Sequence, residues 1–163
     1  MITVAVETPR QEEVAALLRH SDAVAAALYP GAFRRAIDPA SLDRPGISLL
    51  VARHDGRAAG CCALIDREDG SAELKRMIVA EAHRRQGVGE ALLRGAEALA
   101  IGRGIALLLL EVGIRNEAAH AMYRRAGFTP RGPFAPYAAT PISRFLEKRL
   151  TPGISSPSLP TAR

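Results

Sequence analysis

The run Glu73-Leu-Lys-Arg-Met-Ile-Val79, followed after four residues by Arg84-Arg-Gln-Gly-Val-Gly89, decides how this chain is read. Residues 73–79 mix apolar and charged side chains as a half-covered strand does, and the glycines sit where a short charged loop gives way to a helix. Gly87 and Gly89 remove side chains where backbone must approach a ligand, and a helix opening there points unpaired N–H groups at an anion. Arg84 and Arg85 add positive charge at the same place. Taken alone, such a fragment is more often a plain turn than a phosphate cradle, so the order of parts around it carries the argument.

Downstream, Val88, Leu92, Leu93, Ala96 and Leu99 recur at helical spacing until Gly102 and Gly104 stop them. Residues 105–110 are continuously apolar, as in a strand covered on both faces, and are bounded by Glu111 and Gly113. Asn116 is placed to cap a helix carrying Ala119, Met122 and Tyr123 that ends at Gly127. Residues 128–131 and 142–150 read as the last two strands, joined by a loop holding Pro133, Phe134, Pro136, Tyr137 and Pro141. Upstream, residues 2–7 alternate as a first strand. Pro9 opens a helix with Val14, Leu17, Leu18, Ala25 and Leu28 on one face, and Tyr29-Pro30-Gly31 ends it. Residues 47–53 and 57–65 flank His54-Asp55-Gly56, whose Asp-Gly pair signals a tight hairpin turn into a third antiparallel strand over 72–79.

With 163 residues, 48% of them hydrophobic, the chain suits one domain over 1–150 that buries a core without metals or disulfides, and the Pro- and Ser-rich 151–163 is expected to be a disordered tail. No apolar run is long enough to span a bilayer and no signal-like start is present, so the expectation is a soluble, cytoplasmic protein with no membrane partner. Cys61 and Cys62 are adjacent and point to opposite faces of a strand, which argues against a bridge between them. A half-buried structural role is favoured over a covalent acyl carrier. A net charge of +5 permits an anionic cofactor or nucleic acid, but seven aromatics and scattered arginines give no base-stacking platform, so nucleic acid is not expected. His20, His54, His83 and His120 are isolated singles without zinc spacing, and no metal is expected; His120 stands one turn before Tyr123 and is read as an exposed helix residue.

The order strand, helix, three strands, helix, strand, helix, two strands, with Arg84-x-x-Gly-x-Gly89 before the second helix, resembles the GNAT superfamily of acetyl-CoA-dependent N-acetyltransferases. Leu110-Glu-Val-Gly-Ile-Arg-Asn116, Ala118-Ala-His-Ala-Met-Tyr123 and Ala126-Gly-Phe128 are similar to a second family motif. The resemblance implies an α/β (α+β) fold with a mixed, mostly antiparallel sheet of about seven strands flanked by helices, and a splayed V between strands 4 and 5. It implies acetyl-CoA as co-substrate. Met77, Ile78 and Val79 would pair with the pantetheine amides, Arg84, Arg85, Gln86, Gly87, Val88, Gly89 and Glu90 would cradle the pyrophosphate, and Asn116 would meet the pantetheine arm. Glu73 matches a family general base and Tyr123 a family general acid for the departing thiolate.

Each assignment has a plainer structural counterpart. Glu73 could pair with Lys75, Arg76 or Arg57 as surface charge, Asn116 could be an ordinary cap, and Tyr123 could pack in the core. The resemblance implies direct acetyl transfer in a ternary complex to the primary amine of a small molecule, such as an amino acid. Acetylation of protein amines and a non-catalytic acyl-CoA-binding module are the alternatives, and a homodimer is a family-based expectation. Acceptor walls are expected from 28–46 and 131–141, with Arg34, Arg35 and Arg131 to meet a carboxylate and Phe33, Phe134 and Tyr137 to supply apolar faces.

Overall fold

The computed structural model describes residues 1–31 and 36–152. Phe33, Arg34 and Arg35, and the tail expected from 151 except for its first two residues, lie outside the described residues.

Seven strands form one sheet in the order β1-β2-β3-β4-β5-β7-β6. They are β1 (Ile2–Val6), β2 (Ile47–His54), β3 (Arg57–Asp66), β4 (Ser71–Val79), β5 (Leu107–Gly113), β6 (Thr129–Arg131) and β7 (Ser143–Arg149). Only β4 and β5 pair in parallel; every other neighbouring pair is antiparallel. The helices are α1 (Glu12–Leu28), α2 (Val88–Gly102) and α3 (Glu117–Arg125), with 3-10 turns over Pro39–Leu42 and Glu81–His83. Asp55 and Gly56 both take positive φ, 51° and 83°, the conformation that a two-residue hairpin turn requires.

Strand alternation sends residues to two cores. Leu50, Cys62, Leu64, Ala72, Leu74, Leu108 and Leu110 pack under α2 with Val88, Leu92, Leu93 and Ala96. Leu49, Val51, Cys61 and Ala63 face the other way, against Val14, Leu17 and Leu18 of α1. On that second face, farther along the sheet, Leu109, Phe134 and Phe145 form a smaller cluster with Leu107 and Tyr137 beneath the β6–β7 loop.

Two elements have boundaries that move by more than one residue from their sequence positions. α1 begins at Glu12 rather than at Pro9, because the Pro9 carbonyl accepts the Gln11 N–H and Gln11 is still extended. β5 runs from Leu107 to Gly113 rather than over 105–110: the Ile105 N–H is spent on the Ala100 carbonyl at the end of α2, and pairing with β7 extends to Gly113. The buried part of α1 is confined to Val14, Leu17 and Leu18; Ala25 and Leu28, expected on the same face, line cavities instead.

Gly113 is where β5 and the end of α1 meet. A Cβ added there would fall inside the hydroxyl of Tyr29, a buried residue whose oxygen accepts the Arg115 backbone N–H at 2.9 Å. Gly113→Ala is therefore expected to cost about 1–3 kcal/mol by overpacking, lowering the melting temperature by roughly 2–10 °C in a chain of this size. A thermal melt unchanged within 1 °C would show that Tyr29 gives way freely.

Candidate active site

β4 and β5 pair only from Ser71↔Leu107 to Leu74↔Leu110. Beyond that point Lys75 to Val79 remain on β3 while Glu111 to Gly113 remain on β7, and the two strands part. The physical cause lies in β4 itself. Between Ala63↔Lys75 and Cys61↔Ile78, β3 spends one residue and β4 spends two, Arg76 and Met77, with Arg76 at φ 58°. Such a bulge bends and twists its strand. It also exchanges faces: Ala72 and Leu74 point to the α2 core before it, whereas Met77 and Val79 do so after it and Ile78 joins the α1 core.

The fork opens on a groove of about 790 Å³. Met77, Ile78 and Val79 line it with the β4 edge that β5 has vacated, so their backbone groups on that side are open to an extended ligand. At its far end α2 starts from Gly87, in the left-handed conformation at φ 82° and with no side-chain cap. Ala91 is the first helix N–H to find a carbonyl, that of Gly87, so the N–H groups of Val88, Gly89 and Glu90 are left to a ligand. Arg84 and Arg85 line the groove, Arg85 itself at φ 63°. A pyrophosphate and an amide-bearing arm fit this donor set: a dipole end, open N–H groups and guanidinium charge.

Three details differ from the sequence reading. Gln86 is not part of the groove lining; its side chain turns back to the Ala82 carbonyl at 3.4 Å. Gly89 is needed for helix packing, because a Cβ there would collide with the Met122 sulfur, while Gly87 has open space and is needed for its positive φ. His83, Arg115 and Arg125 join the lining unforeseen. Arg115 is held by the Leu28 carbonyl at 2.8 Å and lies over the Tyr29 ring, and Arg125 pairs with Glu90 at 3.4 Å. Only the fold could reveal these partners, because 86 residues separate Tyr29 from Arg115.

A second cavity of about 280 Å³ continues from the first, the two sharing Val24, Leu28, Met77, Ile78, Asn116 and Ala119. Glu73, Tyr123 and Tyr137 all line it. Glu73 is buried at 5% exposure and accepts a 2.8 Å hydrogen bond from the Tyr137 hydroxyl; among the described residues no lysine or arginine pairs with it. The expected alternative, a surface ion pair, is thereby replaced by a buried carboxylate held by a phenol. Tyr123 is buried at 6% exposure, packed edge-on to Phe128 at 5.6 Å, and burial pushes its hydroxyl pKa well above the usual value. Asn116 caps α3, its Oδ1 accepting the Ala119 N–H at 3.3 Å, and borders both cavities.

Glu73 and Tyr123 reach this cavity from opposite sides of the sheet. Glu73 alternates with Ala72 and Leu74, which face α2, so it belongs to the other face. Tyr123 belongs to the α2-side core. A closed sheet would separate them; the parted strands leave a window through which both address one space.

The remaining candidates fall elsewhere. Cys61 and Cys62 are unbridged and buried, and burial pushes the Cys61 thiol up to about 12 and Cys62 higher still, which denies either a thiolate role. His120 and Arg131 line a different groove, Arg131 paired with Glu147 at 3.3 Å, so neither meets Glu73 or Tyr123. His54 and His83 approach at 3.4 Å between ring nitrogens, and His20 lies 3.3 Å from Arg84. Among the described residues no group of three or more His, Cys, Asp or Glu is placed to hold a metal, and no helix is long and apolar enough to cross a membrane.

A fork in a mixed sheet with an uncapped helix start at its rim suits an extended, anionic acyl carrier. The chain belongs to the acetyltransferase (GNAT) family, whose model matches residues 14–128. It is 41% identical over 150 residues, 91% of this chain and 98% of the relative, to a protein named IAA acetyltransferase of Azospirillum brasilense. Its structure is similar to that of a Klebsiella pneumoniae protein assigned to the acyl-CoA N-acyltransferases, with 36% identity and a TM-score of 0.79 over 93% of this chain and 99% of that one. The same fold is shared with the PaiA N-acetyltransferase of Thermoplasma acidophilum, solved in complex with coenzyme A, at 20% identity and a TM-score of 0.70 over 91% and 99% of the two chains. This protein is accordingly an N-acetyltransferase of that family.

Proposed function

We propose that the enzyme transfers acetyl directly from acetyl-CoA to the primary amine of a small molecule carrying both an amine and an acidic group. The observation that carries this reading is the pair of joined cavities, one lined by open backbone and guanidinium groups, the other enclosing Glu73 and Tyr123. Bound there, acetyl-CoA supplies an acetyl group activated as a thioester. Backbone of Met77, Ile78 and Val79 holds the pantetheine amides, and the start of α2 with Arg84 and Arg85 holds the pyrophosphate.

Glu73 takes a proton from the acceptor ammonium, so that a neutral nitrogen faces the carbonyl carbon. Tyr123 holds its own proton tightly, more tightly than a thiol with an ordinary pKa of about 8.5. Full transfer from Tyr123 to the sulfur is thus uphill, and its contribution is a hydrogen bond to the charge that develops there as the C–S bond breaks, while the second proton, shed by the nitrogen as it becomes an amide, neutralises the departing thiolate.

The acceptor cavity, at about 280 Å³, lies at the lower edge of small-ligand pockets, which favours a molecule of amino-acid size over a polypeptide segment. Lys75 and Arg76 line it together with Glu73 and Glu111, offering both signs of charge to a zwitterion. A relative 41% identical to this chain carries the name IAA acetyltransferase, a name that specifies an acceptor other than a protein.

Two measurements test the reading. Acetyl-CoA at 100 times its dissociation constant is expected to stabilise the fold by about 2.7 kcal/mol, a rise in melting temperature of roughly 5–10 °C. No shift at millimolar acetyl-CoA would remove the cofactor assignment. A thiol-release screen should then find amino acids at least about tenfold better in kcat/KM than their methyl esters, the difference of one charged contact. Equal rates on esters, or preference for peptide amines, would overturn the acceptor class.

A further inference from the structure

Glu73 does not stand alone in the cavity. The Tyr137 hydroxyl donates to its Oε2 at 2.8 Å, and Tyr137 comes from the β6–β7 loop, 64 residues along the chain. Resting on the reading of Glu73 as base, we propose that Tyr137 is the positioning residue of this acetyltransferase: it ties one carboxylate oxygen so that the other, Oε1, is held towards the acceptor amine.

The phenol is itself rigidly seated. Its ring packs edge-on to Phe134 at 5.2 Å and tilted on Phe145 at 6.2 Å, and its backbone N–H is bonded to the Phe134 carbonyl at 2.8 Å. The loop is tied down from the turn after β3: Arg67 lies over the Phe134 ring at 5.1 Å and donates to the Ala135 carbonyl at 2.8 Å. Lys75 caps the outer face of the Tyr137 ring at 5.3 Å. A donor fixed by aromatic packing fixes the carboxylate that it holds.

Oε1 is left free for chemistry. No hydrogen bond reaches it among the described residues, and the only fully buried side-chain polar atom without a partner there is Nε of Arg67. Oε1 is therefore open to the cavity that Glu73 lines. Burial and the bond to Glu73 both hold the Tyr137 proton in place, so the phenol donates and does not compete for the proton that Glu73 collects.

A double-mutant cycle separates this role from a contact with the acceptor. Tyr137→Phe keeps the ring packing, so its melting temperature and its shift with acetyl-CoA should match the parent protein. We expect kcat to fall about tenfold, the loss of one hydrogen bond to a charged group, with KM for the acceptor within about twofold. In a Glu73→Gln background the same substitution should change kcat less than about twofold, because the group it positions is gone. Equal losses in both backgrounds, or a loss confined to KM, would overturn the positioning role while leaving Glu73 as base. Full activity of Glu73→Gln alone would overturn both.

Discussion

Tyr123→Phe is expected to lower kcat about 100-fold while leaving acetyl-CoA binding and the fold intact. The ring is buried and packs edge-on to Phe128, contacts that phenylalanine keeps, so the substitution removes one hydroxyl facing the cavity and little else. Loss of a preorganised donor to developing charge is worth about two to three orders of magnitude where water is excluded. Because burial holds the Tyr123 pKa well above its usual value, the hydroxyl keeps its proton throughout the range in which the enzyme can be assayed. The deficit should accordingly stay constant between about pH 6 and 9, below the ordinary tyrosine range. Steady-state kinetics across that range, with the acetyl-CoA melting shift as control, checks both points. Full turnover in the variant would reduce Tyr123 to a core residue.

Glu73→Gln is expected to lower kcat about 100- to 10,000-fold at neutral pH, the usual range for a general base. The amide is nearly isosteric and its oxygen still accepts from Tyr137, so the cavity should hold its shape. What disappears is the ability to take the ammonium proton. The defect should therefore shrink as pH rises past the pKa of the acceptor's own ammonium, since solvent then supplies the neutral amine. A loss of threefold or less at neutral pH would move the proton to a water chain and remove Glu73 from the mechanism.

Much of this site was legible in sequence. The Asp-Gly turn, the apolar run of β5, the Asn116 cap and the Arg84 to Gly89 helix start all declared themselves locally, because each is decided by a few neighbouring residues. Glu73 and Tyr123 were named from a resemblance, and both line one cavity. The bulge at Arg76 was not legible: arginine carries no preference for φ 58°, and the conformation is imposed by pairing with β3. Gly89 lines the groove, and its missing Cβ also makes room for the Met122 sulfur on α3, a closeness of two helices that no local pattern records.

Tyr137 shows the boundary most clearly. As a residue among prolines it read only as an apolar wall of the acceptor site, and the structure makes it a partner of Glu73.

From sequence alone came the family-like order of elements and the glycine-bounded start of α2, since strand alternation, helical spacing and turn chemistry act over a few residues. The tertiary structure alone decided that a bulge at Arg76 and Met77 is what bends β4, that the gap lets Glu73 and Tyr123 line one cavity from opposite faces, and that the Tyr137 hydroxyl bonds Glu73. These depend on pairing and packing between segments tens of residues apart, where the free energy comes from contacts that exist only once the sheet is assembled.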